Sequence, residues 1–441
     1  MISRDRAPTA QETFMQMAQA AGLRGRLLVT VGILILVRLG IFLPVPGINR
    51  ARFAEAIASN NAIFGLLDIF SGRGLSTLGI FALGILPFIN ASIIIQLLTA
   101  AIPALEKLQK DEGEAGRRKI SQITRYVSLG WAIVQSVAFS ALFLQQFALN
   151  PGPAFVAETA IALTAGSMFV MWASELITER GIGNGASLLI FVNIVASLPK
   201  SLGDTTELVQ NALRTGQRDQ IGWVIIIVLM FLMTIAGIVF VQEGMRRIPI
   251  ISARRQVGRR VLAEQRSFLP LRLNQGGVMP IIFAAAFLSL PLLVVDFTKN
   301  PQLANIVRTY LSPKGSGSWV YALVYMVCII FFSYFYSSLI LNPVDVAQNL
   351  KKMGSSIPGI RPGKATSEYI ERVSNRLTFL GALFLGLVAI IPTAVETASP
   401  VKTFQGVGAT SLLILVGVAI DTARQIQTYV ISQRYEGMVK Q

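Results

Sequence analysis

The chain has 441 residues, of which 53% are hydrophobic and only 14% are charged. A soluble globular domain carries about 25% charged residues, so this composition excludes a soluble protein. There is no histidine and one cysteine, Cys328, which excludes histidine metal sites, histidine proton relays and an intrachain disulfide. The formal net charge of +16 fits the basic cytoplasmic loops of membrane proteins and also fits a docking face for phosphate-rich or acidic partners.

Apolar runs of about 20 residues recur along the whole chain, which is long enough to cross a hydrocarbon core of ~30 Å as helices. The runs do not alternate with period two, so helices are favoured over a membrane barrel. The fold class is therefore an all-α polytopic membrane protein. We predict ten spans, at about 26–43, 78–101, 122–146, 157–177, 185–199, 221–242, 276–295, 319–340, 373–392 and 408–428.

The segment 63–77, which follows the first span, is too short, too rich in glycine and too charged to form another span. From the residues alone it is either an amphipathic turn on the membrane surface, which the composition favours, or a re-entrant piece held inside the protein. Non-helical backbone at membrane depth is tolerated only where it is buried in protein or lines a cavity.

The distribution of basic residues predicts the orientation of the chain. Of the 39 Lys and Arg residues, 28 lie in segments on the same side as the N-terminus, and 10 lie in the opposite loops. Positively charged loops stay in the cytoplasm, so both termini are expected there. The N-terminal segment 1–25 and the C-terminal tail 429–441 are then cytoplasmic.

The chain also contains an internal repeat. Residues 84–89 and 277–282 both read G-x-x-P-x-I, and Ser-Leu-Leu-Ile occurs at 187–190 and at 411–414. These matches divide the spans into five plus five, in an N-terminal half 26–200 and a C-terminal half 201–428. Five is an odd number, so the halves lie in opposite orientations, with the functional path expected at their interface.

Prolines in the second and seventh spans, Pro87 and Pro280, occupy matching places in this repeat. A proline inside a helix removes a backbone hydrogen bond, which would suit helices that bend or move.

The path predicted by the repeat is apolar. Spans two, five, seven and eight have no Asp, Glu, Lys or Arg in their middles, and the repeat points instead to isoleucines. An apolar collar can seal against ions by dewetting, although isoleucines at such positions also serve in ordinary helix packing. The collar residues suggested by the repeat are Ile85, Ile89, Ile190, Ile282 and Ile414.

Two cytoplasmic loops, 243–272 and 341–372, are more basic than topology requires, and eight arginines lie in the first. We interpret them as a docking surface for phosphate or acidic protein. The second loop superficially suggests a nucleotide site at 359–364. Its glycines are one residue too close for a P-loop, and no strand precedes them, so we expect no ATP binding and no cofactor.

The sequence resembles the SecY/Sec61-alpha family of protein-translocation channels over essentially the whole chain. The resemblance rests on long motifs in the family's order, at 84–98, 112–126, 177–191, 341–354 and 358–364. It implies two inverted five-helix halves around a central pore, with a short re-entrant plug helix at about 63–77 in place of a surface turn.

The resemblance also implies roles for individual residues. The pore ring falls on Ile85, Ile89, Ala186, Ile190, Ile282 and Ile414. Ala186 departs from the family, in which a bulkier aliphatic residue is usual at this position. The plug includes Ile63, Phe64, Leu67, Ile69, Phe70, Ser71 and Gly72.

A lateral gate, through which signal sequences enter, is implied between spans two and three on one side and spans seven and eight on the other. Its residues include Pro87, Asn90, Gln96 and Pro280. The implied docking residues for a motor or ribosome are Arg246, Arg247, Arg254, Arg255, Arg259, Arg260, Lys351, Lys352 and Arg361.

A member of this family passes unfolded secretory polypeptides across the membrane and releases transmembrane segments sideways into lipid. Its expected partners are SecE-like and SecG-like small subunits, the SecA motor ATPase, the ribosome, signal sequences, nascent chains and lipid. The expected location is the bacterial plasma membrane, with the thylakoid as an alternative.

Two other classes of membrane protein are alternatives to a channel. A secondary transporter for a small solute is also built on inverted repeats, but it normally carries mid-membrane charges that this chain lacks. An intramembrane enzyme has little support because the sequence offers no histidine and no paired intramembrane carboxylates for acid–base work.

Overall fold

A computed structural model describes the residues 21–49, 52–53, 77–110, 113–215, 218–252, 256–257, 260–261, 266–298, 301–311, 318–398 and 409–439. Its contacts divide the chain into two compact units. Unit 1 comprises Met1–Asn211, Thr403–Val407 and Val418–Gln441, and unit 2 comprises Ala212–Lys402 and Gly408–Gly417.

Unit 1 is built from helices. They are α1 (Ala21–Gly40), α2 (Leu86–Ala101), α3 (Pro103–Lys110), α4 (Gly113–Leu142), α5 (Pro153–Arg180) and α6 (Gly185–Thr215), the last residues of which belong to unit 2. Helix α4 packs against both α2 and α5, and α1 packs against α5. An apolar cluster at one end of these helices includes Phe53, Leu78, Leu144 and Leu163, with Phe53 edge-on to Phe147.

Unit 2 combines helices with short strands. Its elements are α7 (Arg218–Glu243), β1 (Met245–Ser252), β2 (Gln256–Val257), β3 (Arg260–Val261), β4 (Arg266–Arg272), α8 (Met279–Thr298), α9 (Pro301–Tyr310), α10 (Ser318–Ile340), α11 (Pro343–Lys352), β5 (Ser355–Ser356) and α12 (Lys364–Ala398). Helix α10 packs against α8 and α12. The final helix, α13 (Ala409–Val439), begins in unit 2 and continues in unit 1 from Val418.

Each of the ten predicted spans overlaps one of these helices, although α2 begins at Leu86, eight residues after the predicted start of the second span. By length and composition, five helices in the described part of the chain could cross a membrane. Two shorter stretches are also apolar: α2 (Leu86–Ala101) and the first part of α8, Met279–Leu288. Several helices run past the predicted edges: α6 continues to Thr215, and α12 begins at Lys364.

The basic loop 243–272 forms a structure that the sequence analysis did not predict. Strands β1 and β4 pair as an antiparallel ribbon, and β5 pairs with the end of β1. Directly opposite residues share a face of such a ribbon, so Ile248 and Leu269 lie on one face together. This face packs on α11 and α12 through a buried cluster that includes Leu350, Ile370 and Val373.

The close packing of α5 on the turn 77–85, which precedes α2, gives a test of unit 1. A Cβ atom at Gly166 would clash with the carbonyl oxygen of Ile80, whereas Gly130 of α4 faces open space. We expect Gly166→Ala to lower the free energy of unfolding by about 1–3 kcal/mol, because the backbone must move to make room. Gly130→Ala should instead raise it by up to about 1 kcal/mol, since alanine is the better helix former.

Thermal unfolding of the two variants in detergent measures the difference. Equal stability of the variants would contradict the packing described for the turn and α5.

Candidate functional site

The turn 77–85, which precedes α2 and carries Ile85, is fixed by the chain that follows α1. The backbone N–H of Ile80 donates to the Leu43 carbonyl oxygen at 2.8 Å, and that of Val45 donates to the Leu78 carbonyl oxygen at 3.0 Å. Gly79 lies so close to the Ile41 carbonyl oxygen that no side chain would fit there. The backbone of this turn is therefore held by protein groups, as is required of non-helical backbone inside the predicted second span.

Helix α5 holds the same turn from another direction. The buried Ser167 hydroxyl donates to the Gly84 carbonyl oxygen at 3.1 Å. Gly84 has a φ of +52°, a left-handed conformation that glycine adopts without a Cβ penalty. The hydrogen bond and the glycine together set the position from which α2 starts.

The prediction that Pro87 and Pro280 break helices internally is wrong. Pro87 lies in the first turn of α2, and Pro280 is the second residue of α8. The N–H groups of a first turn have no intrahelical acceptor, so a proline there costs no hydrogen bond and starts the helix. The residues with which the repeat begins, Gly84 and Gly277, have similar left-handed φ values of +52° and +59°.

Backbone hydrogen bonds confirm that these two helix starts are built alike. In unit 1, Leu86 N–H donates to the Leu83 carbonyl oxygen at 3.3 Å; in unit 2, Met279 N–H donates to the Gly276 carbonyl oxygen at 3.3 Å. The following bonds, from Ile89 N–H in unit 1 and Ile282 N–H in unit 2, reach the residue four positions earlier at 3.1 and 3.3 Å. The motif G-x-x-P-x-I thus encodes one local structure twice.

The second repeated motif also marks two helix starts. Ser-Leu-Leu-Ile occupies the third to sixth residues of both α6 and α13, and all eight side chains are buried. Helix α6 is capped by Asn184, whose Oδ1 accepts hydrogen bonds from the N–H groups of Ala186 and Ser187 at 3.0 and 3.3 Å. An asparagine cap of this kind satisfies N–H groups that otherwise have no partner.

The predicted ring residues are placed by these four helix starts. Ile85, Ile89 and Ile190 lie in unit 1 and are at most 6% exposed; Ile282 and Ile414 lie in unit 2 and are at most 3% exposed. Ala186 is partly exposed in unit 1. The closure of all six into one ring stays a prediction.

The polar residues of the predicted gate lie on α2. Asn90 is buried, and the half-buried Gln96 donates from Nε2 to Ser92 Oγ at 3.0 Å. In unit 1, α2 packs against α4, and in unit 2, α8 packs against α10. These are spans two and three and spans seven and eight, so each predicted side of the gate is a packed pair of helices.

Several predicted docking residues lie on the ribbon and its supporting elements in unit 2. The exposed ones are Arg246, Arg247, Lys351, Lys352 and Arg361. Arg260 is in β3, whereas Arg254, Arg255 and Arg259 lie outside the described residues, as do the plug residues named above.

The ribbon presents one surface that the sequence analysis missed. Its outward face carries Phe268, which is 57% exposed, opposite Pro249, with the exposed Arg247 and Arg272 on the same face. The signal was available in the alternation of basic or proline residues with isoleucine from Arg247 to Ile250, which is typical of a strand. Among the described residues, no group of three or more His, Cys, Asp or Glu side chains could hold a metal ion.

Comparison with known proteins agrees with this architecture. Residues 79–423 match the SecY family model. The chain is 68% identical to the protein translocase subunit SecY of Synechococcus elongatus and 66% identical to that of Synechocystis sp., in each case over the full length of both proteins.

Solved structures show the same fold. A structure described as a protein conducting channel matches with a TM-score of 0.64 at 21% identity, over 92% of each chain. Sec61 in a canine ribosome–channel complex from the endoplasmic reticulum matches with a TM-score of 0.63 at 19% identity, also over 92% of each chain.

The fold defines a polytopic α-helical membrane protein with the architecture of the solved protein-conducting channels. The match over most of the chain and the identity to full-length relatives make the assignment specific: the chain belongs to the SecY family.

Proposed function

We propose that this chain passes unfolded secretory polypeptides across the membrane through an apolar pore and releases transmembrane segments sideways into lipid. The observation that carries the proposal is the duplicated helix start at 84–89 and 277–282, which places buried isoleucines at corresponding positions of two halves. A collar of aliphatic side chains has no fixed ligand geometry, so it suits cargo of variable sequence and closes against ions by dewetting.

The resting state is proposed to be sealed twice, by the ring Ile85, Ile89, Ala186, Ile190, Ile282 and Ile414 and by a plug at 63–77. A signal sequence would separate the pair α2 and α4 from the pair α8 and α10, and so open the lateral gate. Polar segments then continue through the pore, whereas apolar segments partition into lipid because hydrocarbon accepts them more readily than water does.

Partners on the cytoplasmic side are proposed to bind the two basic loops. Exposed arginines on the ribbon and exposed lysines at the end of α11 favour phosphate-rich or acidic surfaces. The relatives described as a ribosome–channel complex and as a yeast Ssh1 complex bound to the 80S ribosome support the ribosome as one partner. A SecA-like motor is the second, and SecE-like and SecG-like subunits complete the channel.

The topology proposed with these partners has ten spans, with both termini in the cytoplasm of a bacterial plasma or thylakoid membrane. The division into the halves 26–200 and 201–428 follows the repeat. The proposal includes no chemical step in this chain, so a bound motor or ribosome supplies the energy.

The apolar collar can be tested by measuring how readily ions cross the resting channel. Ile282→Ser and Ile414→Ser each place a hydroxyl where an apolar seal is proposed, so the resting ion conductance of proteoliposomes should rise several-fold above wild type. Ile227→Ser is the matched control, because Ile227 is a fully buried isoleucine of α7 outside the proposed ring.

We expect all three variants to lose stability, but only Ile282→Ser and Ile414→Ser should raise the ion conductance. A similar conductance for all three variants and the wild type would contradict the collar.

The docking surface can be tested by charge reversal. Arg247→Glu together with Arg361→Glu should weaken ribosome binding to proteoliposomes about ten-fold at moderate salt, since two cation contacts become repulsive. The difference should shrink as salt is raised, because ions screen exposed charges.

Arg214→Glu, an exposed residue near the end of α6, is the control, because the proposed topology places it on the opposite side of the membrane. Unchanged binding in the double variant, or an equal loss in the control, would argue against this surface.

A further inference from the structure

Helix α9 is a short amphipathic helix between two apolar helices of unit 2. It has 10 residues, whereas a membrane span needs about 20. Residues 299–300 separate it from α8, and residues 311–317 separate it from α10. Because these connections are short and α9 packs against both helices, it lies beside the end of α8 and the start of α10.

The side chains of α9 form an apolar strip and a polar strip. Ile306 and Tyr310 are four residues apart, which places them one above the other on a helix, and they are 55% and 47% exposed. The half-buried Val307 borders them. Asn305, which is exposed, and Thr309 lie about 100° away around the helix axis. The helix therefore presents isoleucine and tyrosine outwards along one side only.

The helix that follows α9 indicates which medium meets this strip. Trp319, Leu323 and Val327 recur every four residues along α10, and each is more than half exposed. Exposed apolar side chains in one row of a membrane span face lipid, and tryptophan is enriched where hydrocarbon meets the headgroups. Trp319 is the second residue of α10, so it marks this boundary at the end of α10 that follows α9 in the chain.

A bilayer interface suits the apolar strip better than water does. Amphipathic helices lie in the plane of the interface with their apolar side chains about 5–10 Å deep. Isoleucine gains free energy by leaving water, and a tyrosine ring can enter the hydrocarbon boundary while its hydroxyl stays among the headgroups. Ile306 and Tyr310 have this chemistry, and the adjacent Asn305 stays in contact with water.

We propose that α9 is an interfacial anchor, with Ile306 and Tyr310 inserted between the headgroups and upper acyl chains of the leaflet opposite the cytoplasm. The inference rests on the proposed topology, in which α8 and α10 are spans and the segment between them lies on that side. It goes beyond the proposed function, because it assigns a lipid-binding surface to a part of unit 2 that has no role in the pore or in docking.

The sole cysteine of the chain allows a direct test. Cys328→Ala gives a background in which one new cysteine carries a fluorophore. Ile306→Cys and Tyr310→Cys place the label on the apolar strip. Asn305→Cys is the matched control on the polar strip, one residue away, and Leu323→Cys reports whether α10 faces lipid.

The labelled chains are reconstituted into phosphatidylcholine vesicles and exposed to two quenchers: aqueous iodide and a lipid with a nitroxide near the top of its acyl chain. We expect the nitroxide lipid to quench the labels at 306 and 310. Iodide should quench them about three-fold less than the label at 305, because the interface shields them from water. Equal iodide quenching at 305, 306 and 310 would overturn the proposal, since the strip would then face a water-filled pore or a vacant protein-binding site.

The label at 323 separates failure of the anchor from failure of the topology. Quenching by the nitroxide lipid at 323, together with strong iodide quenching at 306 and 310, would overturn the anchor and leave the proposed channel intact. Strong iodide quenching at 323 as well would contradict the topology, and the anchor with it.

Amide hydrogen exchange tests the anchor without a label. Ile306→Asp places a charge in the proposed interface, so exchange over residues 301–311 in vesicles should become about three- to ten-fold faster. Asn305→Asp introduces the same side chain one position away, on the polar strip, and should leave exchange near the wild-type rate. Equal exchange in the two variants would contradict the proposed insertion.

Discussion

The need to satisfy backbone polar groups in the turns that lead into apolar helices governs this structure. In unit 1, the backbone of the turn 77–85 bonds to Leu43, Val45 and Ser167. In unit 2, the turn 273–278 bonds to Gly244, and within the turn the Asn274 side chain donates to the Gly277 carbonyl oxygen. Lipid could not supply such partners, so non-helical backbone at membrane depth persists only inside protein. The proposed ring residues Ile85, Ile89 and Ile282 lie at or just after these turns, and Ala186 and Ile190 follow the turn capped by Asn184.

The same constraint explains why the two halves use the same motif. A left-handed glycine ends the turn, a proline occupies the first helical turn without losing a hydrogen bond, and an isoleucine follows two residues later. The halves differ in the side chains that hold the turn: in unit 1 the Ser167 hydroxyl donates to the Gly84 carbonyl oxygen, whereas in unit 2 the Gln275 amide contacts two helices. The turn in unit 2 also follows directly on the basic ribbon, where a cytoplasmic partner is proposed to bind.

Much of the fold could be predicted from the sequence, because hydropathy marks every segment that lipid must accept. All ten spans overlap helices for this reason, but the predicted ends are wrong where a helix continues beyond the apolar run, as α6 does to Thr215. The prediction that Pro87 lies in a helix interior is also wrong, because the sequence does not distinguish a proline in a first turn from one further along a helix. The hydrogen bond from Gln275 to Ser374 joins residues 99 positions apart, and no local sequence pattern predicts such a pairing. The sequence analysis did not predict the ribbon because it interpreted the arginines only as charge, although the alternating residues Arg247, Ile248, Pro249 and Ile250 are typical of a strand.

The central claim is that the repeated helix starts line one path for polypeptide. Photocrosslinking probes placed singly at Ile89, Ile282 and Ile414 can be tested against a stalled secretory precursor, with Leu229, a 64% exposed residue of α7, as the control. Crosslinks at the three isoleucines and none at Leu229 are the result predicted here. A precursor that is demonstrably engaged but crosslinks at none of the three isoleucines would contradict the pore and favour a transporter of small solutes.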